Sequence, residues 1–252
     1  MNKVAVVTAS SRGIGAATAL TFGKNGYDVV INYVHNKEAA QEVSKAIEAA
    51  GSRALVVQAD VFTEQGVRQL FEATAKQFGT IDVLINNAGR PAEPSFGEWT
   101  QETVAASLTA NVISAALCTQ AAVPLMNDDS SILFTSSIYG LQFGGNPTLP
   151  LYSAGKAAIV NLAQTMAEKL APRIRCNVVA PGFTKTPAWD SAGPAYVQES
   201  LDMTMQKEWV AAEEIAASFL YLANTPHINA QTIVVDAGWQ KKIRGKHLER
   251  SA

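Results

Sequence analysis

The sequence has little charge and no excess of basic residues. Charged side chains make up 17% of its 252 residues, and 20 lysines and arginines against 22 aspartates and glutamates give a net charge of −2. A chain without a global positive field is a poor match for nucleic acid or for an anionic membrane surface. Its 48% of hydrophobic residues instead indicates a protein that buries a large core. We predict no nucleic-acid partner.

Cysteine is also scarce, which excludes a disulfide-stapled fold. Cys118 and Cys176 both lie in apolar surroundings, and no spacing of zinc ligands is present, so we predict two buried thiols and no metal site. Residues 1–8 lead directly into an apolar run, without the basic segment and apolar segment of a secretory signal. These features favour a cytoplasmic protein.

Charge is missing altogether from residues 103–127. Length alone would permit this stretch to span a membrane. Polar side chains such as Ser107, Asn111 and Gln120 occur throughout it, however, and they are costly in a helix that faces lipid. We predict a long helix buried on most sides, and no membrane span.

Short runs rich in valine and isoleucine alternate with longer amphipathic stretches along the chain. The predicted strands are 4–8, 28–33, 54–59, 81–86, 131–136, 174–179 and 232–235, and the predicted helices are 13–24, 37–50, 64–78, 103–127, about 152–170 and 211–222. Repeated βαβ units produce a parallel sheet with helices on both faces. We therefore predict an α/β fold of the Rossmann type, a doubly wound seven-stranded parallel sheet in a single domain over residues 1–240.

Two segments stand apart from this pattern. Residues 181–207 contain three of the ten prolines together with Trp189, Tyr196, Met203 and Met205. A long irregular loop of this kind is often functional, so we predict a substrate lid at about 183–210, the alternative being a loop that packs against its own core. Residues 241–252 hold five of the 20 bases and one acid, and we expect them to form a solvated tail or a subunit contact.

The first predicted strand runs into a turn rich in serine and glycine, at the start of the first helix. Glycines in such a turn let the backbone approach a pyrophosphate, and the helix N-terminus offers unpaired N–H groups. A turn of this composition predicts a dinucleotide site when it follows the first strand of a βαβ unit. The predicted cofactor-binding residues of the turn are Thr8, Ser10, Ser11, Arg12, Gly13, Ile14 and Gly15.

The end of the second strand indicates which dinucleotide is bound. An NAD site usually has an acid there for the ribose 2′-hydroxyl, but residues 31–36 contain none and Asp28 comes too early. Arg12 supplies a planar set of donors suited to a phosphate, and His35 and Asn36 add more. We predict NADP(H) as the cofactor, with Asn32 also among the residues that bind it.

A tyrosine and a lysine one helical turn apart form the predicted catalytic pair. Lys156 is the only charged residue between Asp129 and Glu168, and Tyr152 precedes it by four positions. The ammonium is expected to lower the pKa of the phenol and so make the pair an acid and base. Tyrosine and lysine at this spacing are common by chance, so the interpretation needs further residues.

Three polar residues supply that support. Ser136 and Ser137 end the fifth predicted strand, at the edge where open parallel sheets bind ligands, and either hydroxyl is placed to hold a carbonyl oxygen. Asn111 lies in the middle of the uncharged helix, where a buried amide needs partners. We predict that it holds a water that relays protons to Lys156.

Taken together, these motifs resemble the short-chain dehydrogenase/reductase superfamily over residues 3–239. The resemblance implies strand order 3-2-1-4-5-6-7 and hydride transfer between C4 of a nicotinamide and a carbonyl or alcohol carbon. The residues that carry it are the turn at 8–15, Asp60-Val61, Asn86-Asn87-Ala88-Gly89, Asn111, Ser137, Tyr152 with Lys156, Pro181-Gly182 with Thr186, and Asp236-Ala237-Gly238.

The same resemblance implies roles for these residues. Tyr152 would donate the proton in reduction, while Lys156 would lower its pKa and bind the nicotinamide ribose. Ser137 would orient the substrate oxygen, and it is preferred to Ser136 because it stands three residues before Gly140. Asn111 would complete the proton relay. The further cofactor contacts implied are Asp60 and Val61 at the adenine, Asn87, Ala88 and Gly89 along the channel, and Pro181, Gly182, Thr184 and Thr186 on the carboxamide and phosphate side.

Two departures from the family pattern affect what the resemblance implies. Ala9 occupies the position of the first glycine of the turn, where its methyl group narrows the approach to the cofactor. The separation of 15 residues between Ser137 and Tyr152 is about two longer than the family usually has, so a loop next to the substrate is altered. Substrate identity is therefore open among ketones, 3-oxoacyl carrier-protein thioesters, and sugars or polyols.

The sequence also allows expectations about subunit assembly and about whether the protein is an enzyme. The two nearly uncharged helices, 103–127 and 152–170, are expected to pair across subunits in a homotetramer, or in a dimer, as the resemblance suggests. A non-catalytic NADP(H) sensor is the alternative from another functional class, but Tyr152 and Lys156 are both present. We predict an enzyme that acts on a small-molecule carbonyl or alcohol.

Overall fold

A seven-stranded parallel sheet forms the centre of the computed structural model, which describes residues 2–91 and 93–239, with residue 188 described in its backbone alone. The strands of the chain are β1 (Val4–Val7), β2 (Asp28–Tyr33), β3 (Ala54–Gln58), β4 (Ile81–Asn86), β5 (Met126–Thr135), β6 (Ile174–Pro181), β7 (Thr184–Lys185), β8 (Val210–Ala211) and β9 (Thr232–Val235). The order β3-β2-β1-β4-β5-β6-β9 confirms the predicted sheet, with β9 as its seventh strand. The predicted tail at 241–252 lies outside the described residues.

Helices cover both faces of this sheet, as predicted. They are α1 (Gly13–Lys24), α2 (Lys37–Ala49), α3 (Glu64–Phe78), α4 (Gln101–Leu108), α5 (Ser114–Ala122), α6 (Pro150–Leu170), α7 (Pro194–Asp202) and α8 (Ala212–Asn224). Side chains alternate across β1, where Val4 and Val6 join the core under α3, α5 and α6, while Ala5 and Val7 join the core under α1, α2 and α8. The domain is therefore doubly wound around two hydrophobic layers.

The long uncharged helix is present but is less covered than predicted. It runs over Gln101–Leu125, with a π-helical turn at Thr109–Ile113 between α4 and α5. By length and composition this helix would suffice to cross a membrane, and 39% of its most apolar window is buried inside the chain. The prediction of burial on most sides is therefore wrong for a single chain, because parts of the surface, including Ile113, remain exposed.

The predicted irregular segment at 181–207 has more structure than its prolines suggested. Strand β7 pairs with β8 in a small second sheet, and α7 begins at Pro194, where a proline is tolerated in the first turn. This segment thus returns to the body of the domain at β8, which leads directly into α8.

Both cysteines are buried free thiols, as predicted. Burial raises the pKa of Cys118 and of Cys176 to about 12, so neither is a thiolate at neutral pH. We assign them a packing role.

Candidate active site

The turn between β1 and α1 lies at the carboxyl edge of the sheet. The first backbone bond of the helix runs from the Ala16 N–H to the Arg12 carbonyl, so the preceding N–H groups of the first turn point out of the helix end. Gly15 lies so close to this turn that an added Cβ would overlap the Ala9 carbonyl oxygen. The turn therefore has the tight backbone and the exposed donors that a pyrophosphate requires.

Ala9 adopts the backbone conformation that this position demands. Its φ of 51° lies in the left-handed region, which glycine tolerates without cost and alanine does not. The Ala9 N–H donates to the Asn32 side-chain oxygen over 3.0 Å, which fixes the residue in this conformation. The departure from glycine is thus accommodated by a hydrogen bond from the neighbouring strand.

Asn32 supports the turn from beneath. Its side chain is 1% exposed, and its amide nitrogen donates to the Ala59 carbonyl over 2.8 Å. Ser10 is equally buried, donating to the Val7 carbonyl and accepting from the Asn32 N–H. Both ends of the Asn32 amide are thus engaged within the fold, so a role in holding the shape of the turn is what the structure shows for this residue.

The positions that would meet a ribose phosphate carry no carboxylate at the end of β2. Arg12 and His35 are exposed there, while Asn36 uses its side-chain oxygen to cap α2 by accepting the Ala39 N–H. Asp28 is buried at the opposite end of β2, where it accepts from Arg53. Asp28 is therefore at the wrong end of the strand to meet a ribose, as predicted.

The segment after β4 is tied to the turn by hydrogen bonds. The Thr8 hydroxyl oxygen accepts the N–H groups of Asn87 and Ala88, each over 2.9 Å. The Asn87 amide donates back to the Thr8 carbonyl over 3.0 Å. These contacts hold residues 87–89 beside the turn and make one continuous wall of backbone.

The other predicted cofactor contacts line the same edge. Asp60 is exposed and accepts the Phe62 N–H, whereas its neighbour Val61 is buried. Thr186 lies over the turn, with its methyl carbon 3.5 Å from the position of a Cβ on Gly13. Thr184 is buried and donates to the carbonyl of Gly182, which follows Pro181 in the chain. Thr186 is thus brought to the turn, and Thr184 supports the loop that carries it.

The structure distinguishes the two candidate serines. The Ser136 hydroxyl donates to the Lys156 carbonyl over 2.8 Å and so anchors α6 to the sheet. The Ser137 side chain forms a hydrogen bond with Tyr152, and its oxygen also accepts the Tyr139 N–H over 3.2 Å. Ser137 is therefore the serine that the fold brings to the tyrosine.

Lys156 lies in the interior behind the phenol. Lys156 is only 3% exposed, and its Nζ donates a hydrogen bond to the Thr135 carbonyl over 2.9 Å. The Nζ atom is 5.6 Å from the centroid of the Tyr152 ring. Burial lowers the pKa of Lys156 to about 8, because the charged form is desolvated.

The pKa of Tyr152 differs in direction from the prediction. Burial raises it to about 12, and the hydrogen bond from Ser137 offsets only part of that shift. The net shift of this pKa is therefore opposite to the expected lowering, because desolvation of the tyrosinate by burial is its largest cause. The phenol is consequently protonated at neutral pH.

Asn111 occupies the π-helical turn and joins two elements of the site. Its amide nitrogen donates to the carbonyls of Arg90 and Ser107, and its oxygen accepts the Arg90 N–H over 3.2 Å. A Cβ placed on Gly89 would lie 3.0 Å from both the Asn111 oxygen and the Lys156 Nζ. The absence of a side chain at Gly89 therefore leaves these two polar atoms facing the same small space.

Sequence reasoning missed Glu93. One carboxylate oxygen accepts the Tyr152 N–H over 2.7 Å, and the other accepts the Leu151 N–H over 3.2 Å. Helix α6 begins with Pro150 and has no cap from its own preceding residue, so Glu93 takes that place from a distant loop. A carboxylate at a helix N-terminus also complements the helix dipole. No local pattern signals such a contact.

A group of aromatic rings stands beside the tyrosine. Tyr139 lies close enough to Tyr152 to affect its pKa, and Tyr196 has the same effect on Tyr139. Tyr196 stacks on Trp189 with the ring centroids 5.5 Å apart. The predicted lid therefore carries its aromatic residues to the catalytic side of the domain, where they also pack against one another.

This arrangement suits the delivery of a proton to an oxygen atom. It combines a neutral phenol, a serine hydroxyl hydrogen-bonded to it, and a buried ammonium behind the ring. Among the described residues, no carboxylate is hydrogen-bonded to the phenol. The backbone-lined turn adjoins the same edge and completes a site for a nucleotide beside a proton donor.

Comparison with known proteins identifies the family of the chain. Residues 8–240 match the family described as enoyl-(acyl carrier protein) reductase. The chain is 36% identical over 242 residues to a 3-oxoacyl-[acyl-carrier-protein] reductase of Synechocystis, an alignment that covers 94% of this chain and 96% of the relative.

Solved structures extend the comparison to the fold. A short-chain dehydrogenase of Burkholderia cenocepacia in complex with NADP superposes with a TM-score of 0.87 at 33% identity, covering 94% of this chain and 98% of the other. A blue fluorescent protein from a metagenomic library, in complex with NADPH, gives a TM-score of 0.88 at 31% identity, covering 94% and 97%. The chain belongs to the short-chain dehydrogenase/reductase family and is an oxidoreductase.

Proposed function

We propose that the protein is an NADP(H)-dependent oxidoreductase that transfers a hydride between C4 of the nicotinamide and a ketone or secondary alcohol. The observation that carries the proposal is the grouping of Tyr152, Ser137 and Lys156 beside the β1–α1 turn. These three residues are suited to acid and base catalysis at an oxygen atom of the substrate. The protein would act on a small molecule in the cytoplasm, a location that the family and the two free thiols favour.

Tyr152 and Ser137 would act directly on the substrate oxygen. The serine hydroxyl donates a hydrogen bond to a ketone oxygen and holds it beside the phenol. As the oxygen becomes negative, Tyr152 transfers its proton to it. Because its pKa is raised to about 12, the phenol holds that proton throughout the neutral range until the substrate oxygen takes it.

Lys156 and Asn111 would restore the proton. The ammonium has three donors, of which the Thr135 carbonyl takes one, so others are left for a ribose hydroxyl and a water. The Asn111 oxygen faces the same space and can hold that water in place. A chain from Lys156 through this water would reprotonate the tyrosinate after each turnover.

The residues at the turn fit NADPH, which supplies the hydride when bound. The exposed first turn of α1 would hold the pyrophosphate, and Thr186 lies above it. Arg12 and His35 would meet the 2′-phosphate, with Asp60 at the adenine. The absence of an acid at the end of β2 removes the repulsion that would otherwise select against this phosphate.

Measuring NADPH and NADH oxidation with a panel of ketones, 3-oxoacyl and 2-enoyl thioesters, and sugars tests this function. We expect turnover of at least one carbonyl compound, with a lower KM for NADPH than for NADH. A clear preference for NADH would contradict the cofactor assignment. Binding of NADPH without turnover of any carbonyl would support a sensor instead.

We also propose that the chain assembles as a homotetramer, or as a dimer, through the helices at about 103–127 and 152–170. The first helix leaves part of its apolar surface uncovered in a single chain, including Ile113 at 44% exposure. Burial of such a surface between subunits is favourable. Light scattering at micromolar protein concentration tests this, and a monomer would contradict it.

A further inference from the structure

Three segments of the chain border the catalytic tyrosine, and we call them the rim: residues 90–102 without residue 92, residues 138–149 and residues 183–209. Glu93 contacts the Tyr152 backbone from the first segment. Tyr139, in the second, donates its backbone N–H over 3.2 Å to the hydroxyl oxygen of Ser137, the serine beside Tyr152. Phe183, in the third, packs in one apolar cluster with Ile138 and Tyr139 of the second segment. The three segments therefore lie together on the catalytic side of the domain.

The rim is more acidic than the chain as a whole. It contains seven acids and three bases, a net charge of −4, against −2 for all 252 residues. Its middle segment has no charged residue at all. The acids are Glu93, Glu98, Glu102, Asp190, Glu199, Asp202 and Glu208, and the bases are Arg90, Lys185 and Lys207.

Two of the three bases are held by neighbours. The Arg90 guanidinium lies 5.7 Å from the centroid of the Phe62 ring, and the Lys207 ammonium lies 2.8 Å from an Asp202 oxygen. The side chains of Glu98 and Glu199 are exposed, and Glu199 helps to raise the pKa of Tyr196, second to burial. The rim therefore carries an excess of exposed negative charge on the catalytic side of the domain.

The lid adds an aromatic surface to this acidic rim. Trp189 stacks on Tyr196 with an interplanar angle of 15°, and Trp209 lies 5.8 Å from Trp189 between ring centroids. Phe183 meets Tyr196 edge to face at 6.4 Å. Tyr196 remains 41% exposed, so this group of rings presents aromatic surface outward as well as packing on itself. Such surfaces bind apolar or aromatic groups.

From this combination we infer the substrate class: a free ketone with an apolar or aromatic substituent and no negative charge. The inference rests on the proposed function and narrows it. Thioesters of coenzyme A carry several phosphate charges, and a carrier protein presents its acyl group on an arm with an anionic phosphodiester. Both arms would lie beside the acidic rim, where like charges repel within a Debye length of about 10 Å at 0.1 M salt. Sugars and polyols match the aromatic surface less well than an apolar ketone does.

Two acetoacetyl thioesters with the same acyl group allow the effect of substrate charge on kcat/KM to be measured alone. Acetoacetyl-N-acetylcysteamine and acetoacetyl-coenzyme A present the same ketone, but only the second carries the charged nucleotide arm. We expect kcat/KM for the neutral thioester to exceed that for the coenzyme A thioester about tenfold or more at low salt, or about 1.4 kcal/mol. Added salt should narrow the difference.

A double variant, Glu98→Gln/Glu199→Gln, tests whether the rim is the cause. We expect it to improve kcat/KM for the coenzyme A thioester and leave that for 4-phenyl-2-butanone unchanged. The matched control is Glu42→Gln/Glu72→Gln, which removes two exposed carboxylates on α2 and α3, away from the rim. It should leave the difference between the two thioesters as it is in the parent protein.

Three further outcomes decide the inference. A lower KM for 4-phenyl-2-butanone than for 2-butanone, with dihydroxyacetone poorer than both, would support it. Equal or better turnover of the coenzyme A thioester, or a difference that neither salt nor the rim variant changes, would overturn it while leaving the proposed function intact. Failure to reduce any carbonyl, although NADPH binds, would overturn both.

Discussion

The nucleotide side and the substrate side of the site are built by different means. On the nucleotide side, buried polar groups such as Ser10 and Asn32 bond to backbone and fix one short turn. On the substrate side, three separate segments meet at Tyr152, and aromatic packing together with the Glu93 cap holds them there. The nucleotide side recognises the pyrophosphate, which all dinucleotides share. The substrate side is built from loops, which can differ between proteins that act on different substrates.

The difference is sharpest at the proton donor, which belongs to the substrate side. Substituting Tyr152→Phe removes the phenol oxygen and keeps the ring, so we expect kcat to fall about 10³-fold, within the range of general acid catalysis. The affinity for NADPH, measured by fluorescence titration, should remain that of the parent protein. Retained turnover would contradict the role of Tyr152.

The corresponding change on the nucleotide side is Arg12→Ala. We expect the Kd for NADPH to rise about 10- to 100-fold, since a hydrogen bond to a charged group contributes about 1.5–3 kcal/mol. The Kd for NADH should change little because it lacks the 2′-phosphate. Equal losses for both cofactors would place Arg12 at the pyrophosphate instead.

The pH dependence of reduction reports on Lys156. Its pKa is lowered to about 8 by burial, so the ammonium loses its proton as the pH rises through that value and ceases to stabilise the tyrosinate formed in turnover. We expect kcat/KM for the ketone to be level below about pH 8 and to fall by about tenfold per pH unit well above it. The residual activity of Lys156→Ala should lack this fall, and a level profile in the parent protein would refute the assignment.

The smallest expected effect concerns the cap of α6. Glu93→Ala should lower stability by about 1 kcal/mol, a typical value for a lost helix cap. It should also reduce kcat, with KM for NADPH unchanged, because the freed helix end positions Tyr152 less well. Glu93→Gln keeps an acceptor oxygen and should recover part of kcat.

Thr63→Ala is the matched control for this cap. The Thr63 hydroxyl accepts the Gly66 N–H at the start of α3 over 3.0 Å, so its loss should cost similar stability. It should leave kcat unchanged. If both variants lose kcat equally, the effect of Glu93 is one of general stability.

Much of the fold was predictable because its signals are local. The bounds predicted for α1, α3, β2, β4 and β9 agree with the structure, since valine-rich strands and amphipathic helices alternate without interruption. Helix α7 escaped prediction because it is short and begins at Pro194, inside a segment whose prolines suggested a loop. The lid was accordingly predicted as irregular.

The residues of the site could be predicted from the sequence, but the pKa values of those residues could not. Spacing placed Tyr152 and Lys156 on one helical face, but burial determined the direction of the phenol pKa, and burial depends on the whole fold. The contacts of Glu93 and Asn32 could not be predicted from the sequence either. Their partners lie 59 and 23 positions away in the sequence at Tyr152 and Ala9, and no local pattern records such contacts.

Isotope transfer tests the central claim most directly. The protein is incubated with 4-phenyl-2-butanone and NADPH carrying deuterium on both positions of C4, and the alcohol formed is examined by mass spectrometry and NMR. The account predicts one deuterium on the carbinol carbon and none at neighbouring carbons. An alcohol without deuterium at that carbon, formed while NADPH is consumed, would contradict hydride transfer to the carbonyl.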